Sequence, residues 1–352
     1  MPDFAAPMMS RLGSWPAECT VQGREGRRSA SGCQYGGIGS TVILESASCS
    51  LCGEDVASVL YRGIPDQFGH GPHRFDLVRC KVCGLVRTQP RPSRETIGAY
   101  YPPDYAPYQV YEGKDRRALY RRLLRRVSEY PYRVRHGAPL HVEPPPGGAA
   151  RMLDVGVGDG SSLREYSQAG WEVWGVEPSP EAAASAASRA GVPADHVIQA
   201  PAEEVSLPPE SFDLIRLSHV VEHLHDPRRV IAKARLWLRP GGRVIAICPN
   251  FASWERRLFR RRWMQLDVPR HLNHFTPDTL LALLGSEGLA VRSMRPELEF
   301  MTLPGSVLNT MGLRPKGGVA YRALFLGLMP FTCLARALDT AAMEVVAEAA
   351  AA

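Results

Sequence analysis

The 352 residues carry 45% hydrophobic and 22% charged side chains, the proportions of a chain with a packed core and room for two to three domains of about 150 residues. A fibrous or wholly disordered protein is excluded, and the 30 Pro and 32 Gly follow no repeat, so they predict connectors and not a collagen-like helix. The formal net charge of +6 is matched by one stretch, residues 112–135, where nine Lys or Arg stand against three acids.

Residues 1–45 mix Ser, Gly, Arg and Pro without periodicity, which predicts a mobile extension; Cys19 and Cys33 lie in it as unassigned thiols. No positive patch leads into a continuous apolar run there, so the expected compartment is the cytoplasm. Residues 46–92 hold two C-x-x-C-G knuckles, Cys49-Ser-Leu-Cys52-Gly53 and Cys80-Lys-Val-Cys83-Gly84, with 27 residues between Cys52 and Cys80. Two thiolates from each complete a tetrahedral four-sulfur shell with no open position, which predicts a structural metal: zinc by default, with rubredoxin-like iron fitting the same ligands. Eight Cys in the whole chain are too sparse for a disulfide scaffold.

Residues 93–146 read as a connector, with Tyr100, Tyr101 and Tyr105 set among Pro102 and Pro103, followed by a basic amphipathic helix over 115–127. Its apolar face carries Tyr120, Leu123, Leu124 and Val127, and Arg117, Arg121 and Arg125 recur at four-residue steps on another face. Beyond it, residues 147–300 alternate short β-prone runs with Ala- or Leu-rich helical runs, the pattern of repeated βα units and a mostly parallel, doubly wound α/β sheet. Strands are predicted at 152–155, 172–176, 197–198, 214–217, 244–248 and 289–294, and helices at 162–169, 181–190, 228–237 and 277–287. Residues 301–352 form an apolar C-terminal segment. Its longest apolar stretch, 323–335, is too short to span a bilayer, and 345–349 is a candidate last edge strand.

Residues 151–160 read R-M-L-D-V-G-V-G-D-G, with glycines at alternate positions before a Ser-Ser helix start. Glycine permits positive φ and close approach of backbone amides to a ligand beside the positive end of the following helix. A dinucleotide fingerprint needs its third glycine where Ser161 stands, and a phosphate loop needs a Gly-Lys-Ser/Thr that does not follow. Neither NAD nor a nucleoside triphosphate fits. Glu177, at the end of the next strand, is 23 residues after Asp154, where a carboxylate can accept both ribose hydroxyl protons.

From Leu153 to Gly160 the sequence resembles the first motif of the class I S-adenosylmethionine-dependent methyltransferases. F-D-L-I-R-L-S-H-V-V-E-H-L-H-D-P (212–227) and L-R-P-G-G-R-V-I-A-I-C-P-N (238–250) resemble later motifs of that family in order and spacing. The resemblance covers roughly residues 147–300 and implies a Rossmann-like methyltransferase sheet preceded by a small zinc-ribbon module. It implies that S-adenosylmethionine is held by Asp154, Gly156, Gly158, Gly160, Glu177, Ala202, Glu203 and Ser218, with Glu177 on the ribose. Pro201 stands where the family often has an acid beside the adenine. The ubiquinone-pathway O-methyltransferases resemble the 219–223 stretch, with a Glu-x-x-Glu-His proposed to bind a divalent metal. Here His219 replaces the first Glu.

A sulfonium cofactor already carries an activated methyl, so the protein must chiefly align a nucleophile and exclude water. His219, Glu222 and His223 are the candidate catalytic residues, able to take a proton from a hydroxyl acceptor; orienting a loop or capping the next helix is the alternative role for Glu222 and His223. His271 and His274, in P-R-H-L-N-H-F-T-P-D-T-L, form a second pair, one of them expected to be structural, before a helix that Thr276 would cap. Cys49, Cys52, Cys80 and Cys83 are the metal ligands.

The expected activity is methyl transfer to a small-molecule, saccharide or lipid-linked acceptor, with O-transfer ahead of C- or N-transfer. The basic helix and the W-E-R-R-L-F-R-R-R-W run at 254–263 suggest peripheral contact with an anionic membrane surface, through Trp254, Leu258 and Phe259, or else a solvated basic face. Two alternatives stay open: a non-catalytic binding protein recruiting nucleic acid or a protein, and an RNA methyltransferase. The second is disfavoured for base-amino chemistry because Ser218-His219-Val220-Val221 stands where an N-P-P-Y or D-P-P-Y tetrapeptide would.

Overall fold

The structure is a computed structural model that describes residues 42–69, 71–101, 145, 150–297, 299, 302–312, 327–328 and 341–349. The basic helix expected at 115–127, the thiols Cys19 and Cys33, and all of the apolar stretch 323–335 except residues 327–328 lie outside these residues. Among the described residues no helix is long and apolar enough to cross a membrane.

The N-terminal part contributes β1 (Leu44–Glu45), β2 (Ala57–Pro65), β3 (Arg74–Cys80), β4 (Val86–Gln89) and β5 (Arg91–Pro92). The extension expected through residue 45 is shorter than that at its inner end, because β1 pairs antiparallel with β5. β2, β3 and β4 form an antiparallel meander. The segment leading into β2 and the turn between β3 and β4 carry the cysteine knuckles, and each knuckle closes on a glycine of positive φ, Gly53 and Gly84. There the glycine amide donates to the carbonyl of the first cysteine, at 2.8 Å for Cys49 and 3.1 Å for Cys80.

The C-terminal part follows as β6 (Arg151–Val155), α1 (Ser161–Gln168), β7 (Glu172–Glu177), α2 (Pro180–Ala190), β8 (Val197–Gln199), β9 (Phe212–Ser218), α3 (Pro227–Trp237), β10 (Leu238–Pro249), α4 (Trp254–Phe259), β11 (Asn273–His274), α5 (Pro277–Ser286), β12 (Leu289–Glu297), α6 (Thr302–Thr310) and β13 (Ala342–Ala349). Seven strands form one sheet in the order β12-β13-β10-β9-β6-β7-β8. β8, β7, β6, β9 and β10 are parallel, and β13 runs antiparallel to both β10 and β12. The candidate edge strand 345–349 is therefore longer and internal. A-M-E-V-V-A-E-A fills the slot between β10 and β12, where six consecutive residues from Ala342 are buried.

Successive residues of the parallel strands feed two apolar layers, as expected of a sheet covered on both faces. Leu153, Val155, Ile215, Leu217 and Val244 lie in one layer, and Met152, Leu214, Ile245 and Ile247 in the other. Each fully buried side chain of this size contributes about 1.5–3 kcal/mol. Local chemistry sets the helix starts. Ser179 caps α2 by accepting from the Ala182 amide, Asp226 caps α3 by accepting from Arg229, and each helix then opens on a proline. Thr276 and Thr279 form a capping box on α5, the cap expected from the sequence.

β11 belongs to the N-terminal sheet, whose order is β11-β4-β3-β2. Asn273 and His274 pair with Arg87 and Val86 of β4. Residues 46–92, expected to be a ribbon preceding the catalytic core, thus share a sheet with a strand supplied by that core. A second tie is fully buried. Arg270 Nη2 donates to Asp66 at 2.8 Å and to Asp267 at 2.6 Å, its Nη1 donates to the Tyr100 carbonyl at 3.0 Å, and its guanidinium stacks over Phe68. Although burial opposes ionisation, the Arg270 charge holds the Asp267 carboxyl down to about 2.

Candidate active site

β6, β7 and β9 are adjacent and parallel, so their carboxyl ends open on one edge of the sheet, and the strand order reverses direction there. In open α/β sheets ligands bind outside that edge, at the reversal.

The glycine turn leaves β6 with Gly156, Gly158 and Gly160 all at positive φ. The Gly156 amide donates to Val176 O at 2.7 Å, which folds the turn back over β7. At Gly160, a Cβ would stand 2.5 Å from Ala186 Cα, so only glycine lets α1 start against α2. At Gly156, it would stand 2.6 Å from Val220 Cγ2. That contact brings the glycine turn against the turn that leaves β9. Glu177 is buried at the end of β7; its Oε2 accepts from the Gly158 amide and its Oε1 from the Ser179 amide, both at 3.1 Å. Burial pushes its carboxyl upward against those two donors. A buried carboxylate at the mouth of a glycine cradle that any side chain would fill fits a sugar carrying two adjacent hydroxyls.

The other residues expected at the cofactor are placed as follows. Asp154 lies inside the sheet, pushed upward by burial and paired at 3.2 Å with Arg216 of β9. Glu203 is buried and accepts from the His225 amide at 3.1 Å, with Arg94 at 3.6 Å. Ala202 packs against the larger apolar layer, and Ser218 is the last residue of β9.

His219, Glu222 and His223 come together in the turn after β9. His219 has φ 54, a conformation that a bulky side chain adopts at a cost of order 1–3 kcal/mol and that clusters at functional sites. Its Nδ1 stands 3.3 Å from Glu222 Oε1 and its Nε2 stands 3.2 Å from Glu299 Oε1. Burial alone would lower its basicity, but the two carboxylates push it up to about 10, so at neutral pH it is an imidazolium. Glu222 is buried, and among the described residues neither of its carboxylate oxygens has a hydrogen-bond partner beyond that ion pair.

His223 is held by residues that the sequence reading did not select. Its Nδ1 faces the Arg270 carbonyl at 3.1 Å and the Tyr101 hydroxyl at 2.9 Å. A carbonyl only accepts, so Nδ1 carries the hydrogen and Nε2 keeps its lone pair. His271 repeats the arrangement, with Nδ1 donating to Gln265 O at 2.9 Å, and packs edge-on against His223 at 4.6 Å. Burial, reinforced for His223 by the neighbouring His271, lowers both imidazoles to about 4, so both are neutral at pH 7. Of the second pair, His274 is the structural one: it is buried, lowered by burial to about 3, and lies 3.3 Å from Thr88 Oγ1.

One ligand atom each from Glu222, His223 and His271 lies within 4.8 Å of the others. Two neutral imidazoles fixed in one tautomer by backbone carbonyls, beside a buried carboxylate, are a donor set that suits a divalent cation. The four cysteine sulfurs form a second cluster of the same span. Cys49 Sγ is 3.4 Å from Cys83 Sγ, and Cys52 Sγ is 3.5 Å from Cys80 Sγ, near the edge of about 3.8 Å implied by 2.3 Å metal–sulfur bonds. Burial opposes ionisation of Cys80, yet the amides of Cys83 and Val82 draw it down to about 7, while burial pushes Cys83 upward. Such a set fits a tetrahedral cation.

The run 254–263 is partly interior. Trp263 is fully buried in a cluster with Phe75 and Phe251, and Phe259 packs against the same cluster, leaving Leu258 as the large apolar side chain it exposes.

Residues 113–294 match the family model described as a methyltransferase domain. A ubiquinone biosynthesis O-methyltransferase of Aeromonas salmonicida is 28% identical over 153 residues, 41% of this chain and 64% of that protein. Another of the same name, from a Methylobacterium species, is 31% identical over 166 residues, 44% of this chain and 66% of that protein. Among solved structures, an S-adenosylmethionine dependent methyltransferase from Mesorhizobium loti is 21% identical with a TM-score of 0.41, over 64% of this chain and 99% of that one. The chain therefore spans just under two thirds of the length of these curated relatives.

Proposed function

This chain belongs to the methyltransferase-domain family, and we propose that it is an S-adenosylmethionine-dependent methyltransferase that methylates a hydroxyl oxygen of a small-molecule acceptor. The observation that carries the choice of oxygen is Glu222, a buried carboxylate whose oxygens face an imidazolium on one side and two neutral imidazoles on the other. Hydroxyl acceptors need a proton removed, and a carboxylate or a neutral imidazole Nε2 is the group to receive it.

S-adenosylmethionine, when bound, supplies a methyl group already activated on sulfur. Glu177 would take the ribose hydroxyls, and the side-chain-free Gly156–Gly160 turn would leave room for the rest of the nucleoside. Val220, pressed on Gly156, positions the β9 turn so that Glu222 and His223 face the acceptor. The acceptor oxygen would form its bond to the methyl carbon as the sulfur–methyl bond breaks and S-adenosylhomocysteine leaves, and its proton would pass to His223 Nε2 or Glu222. The imidazolium of His219 stands 3.3 Å from Glu222 Oε1 and fixes that side of the carboxylate. A divalent cation held by Glu222, His223 and His271 would add Lewis-acid chemistry to the same hydroxyl. A zinc ion on Cys49, Cys52, Cys80 and Cys83 would have no open position and would touch no reactant. The relatives named above act, by their names, in ubiquinone biosynthesis, which supports a hydroxyl acceptor; saccharide and lipid-linked hydroxyls belong to the same chemistry.

The test is transfer of labelled methyl from S-adenosylmethionine into fractionated cell extract, with identification of the labelled product. Label in a small molecule, stable to mild base as an ether, is the expected result. Label only in RNA or protein overturns the reading.

A further inference from the structure

The 271–274 segment lies between the two clusters. Thr88 of β4 donates through its amide to Leu272 O at 3.0 Å and through Oγ1 to His271 O at 2.7 Å. On the other side, the amides of Leu272 and Asn273 both donate to the Glu222 carbonyl, at 2.8 and 3.0 Å. The Asn273 side chain is buried and completes the bridge. Its Oδ1 accepts from Ser50 Oγ at 2.6 Å, and its Nδ2 donates to Leu224 O at 2.8 Å. Ser50 sits inside the first knuckle, between Cys49 and Cys52, and Leu224 follows His223. Apolar packing runs along the same line: Cys49, Leu51, Cys80 and Leu85 share one cluster with Val221 and Leu224.

We propose that Asn273 is a positioning residue through which the four-cysteine cluster fixes the Glu222–His223 turn, so that a metal on the sulfurs serves methyl transfer without touching any reactant. The reason is geometric. The knuckle is a tight loop whose conformation is set by sulfur ligation, and a hydrogen bond as short as the one from Ser50 transmits that conformation only while the loop is held. The glycine turn and Glu177 stand on β6 and β7, and none of the hydrogen bonds of this bridge reaches them. Loosening the knuckle therefore affects the transfer step and spares cofactor capture.

The proposal rests on Glu222 and His223 as the transfer site. The test uses the full chain as purified, with its metal counted by atomic emission and at least one ion per chain expected. Ser50→Ala and Asn273→Ala are compared with Ser50→Thr, which keeps the hydroxyl. Both Ala variants are expected to keep the parent's metal content and to bind S-adenosylhomocysteine within twofold by calorimetry. Their kcat for labelled methyl transfer falls at least tenfold with the cofactor KM within twofold, the ring-proton NMR signals of His223 and His271 move, and Ser50→Thr restores both. Chelation of the parent is expected to move the same histidine signals with product binding retained. Histidine signals and kcat that stay put in both Ala variants overturn the proposal. So does cofactor affinity that falls in step with kcat, or a parent that carries no metal. If the parent transfers no methyl group at all, the function proposed above fails, and the histidine signals alone decide whether the bridge operates.

Discussion

At the β6–β7 end of the site, the groups proposed to hold the cofactor come from one continuous stretch: the glycine turn, and Glu177 at the close of the following strand. They are held mainly by backbone amides of that same stretch, Gly156 donating to the Val176 carbonyl and Gly158 to the Glu177 carboxylate. At the β9 end, His223 is oriented by Arg270 and Tyr101, Glu222 is hung from residues 272 and 273, and those in turn are paired to β4. The first end is a local motif; the second is assembled from three separated parts of the chain. On the function proposed, the contrast predicts that capture of the cofactor and orientation of the transferring groups are separable, with Val220 against Gly156 as the seam between them.

The largest effect should come from Glu222→Gln, which keeps shape but loses the charge. Methyl transfer is expected to fall by roughly 10²–10⁴, with S-adenosylhomocysteine affinity by calorimetry within twofold. A matching drop in affinity would erase the separation. Glu177→Ala is the mirror experiment: cofactor affinity should fall by roughly 100-fold, the loss of two hydrogen bonds to a charged group at about 1.5 kcal/mol or more each. The histidine NMR signals should not respond. Gly156→Ala tests the seam. Its Cβ presses on Val220 and its φ of 78 is strained for any side chain, so affinity and kcat should both fall, by roughly tenfold, for a cost of about 1–3 kcal/mol. A change in one alone would place the seam elsewhere.

The smallest effect is on stability against pH, and here the histidines of the β9 end pull in opposite directions. His223 and His271 titrate near 4 and His274 near 3 in the folded chain, against an ordinary 6.5. Between those values the unfolded chain takes up protons that the folded chain refuses, so stability is full above 6.5 and is lost as pH falls toward 4. His219, raised to about 10, behaves the other way: its contribution is full below 6.5 and is lost as pH rises toward 10. The thermal midpoint should therefore peak near neutrality, and His219→Gln should flatten the alkaline limb while leaving the acid limb in place.

Much of this architecture was legible in the chain. Alternating apolar runs and helix caps located β6 to β10 and α1, α2, α3 and α5, because those signals depend on neighbours a few residues apart. The meander strands β2–β4 escaped notice because their residues alternate poorly and are irregularly paired, with register shifts between Val59, Tyr61 and Ile64. Of the site, His219, Glu222 and His223 were identified by their spacing on one turn. His271 was weighed as half of a second pair, while Tyr101, Arg270 and Asn273 were passed over: nothing in the local sequence of a tyrosine in a proline-rich connector, or of an asparagine between two histidines, says what it will face. The signal that could have drawn attention to Arg270 is its setting in D-V-P-R-H, a charge pair at three-residue spacing beside a histidine.

The amino-acid sequence by itself determined that the chain builds a glycine turn followed by an acid, and two knuckles able to share one ion, since each is a matter of residue type at short range. Only the tertiary structure decided that residues 271–274 run between the knuckles and the β9 turn, which histidine is charged and which are neutral, and which nitrogen of each bears its hydrogen. Those outcomes depend on burial and in large part on partners far away in the chain, as with Arg270 and His223 or Ser50 and Asn273. They exist only once the sheets have packed.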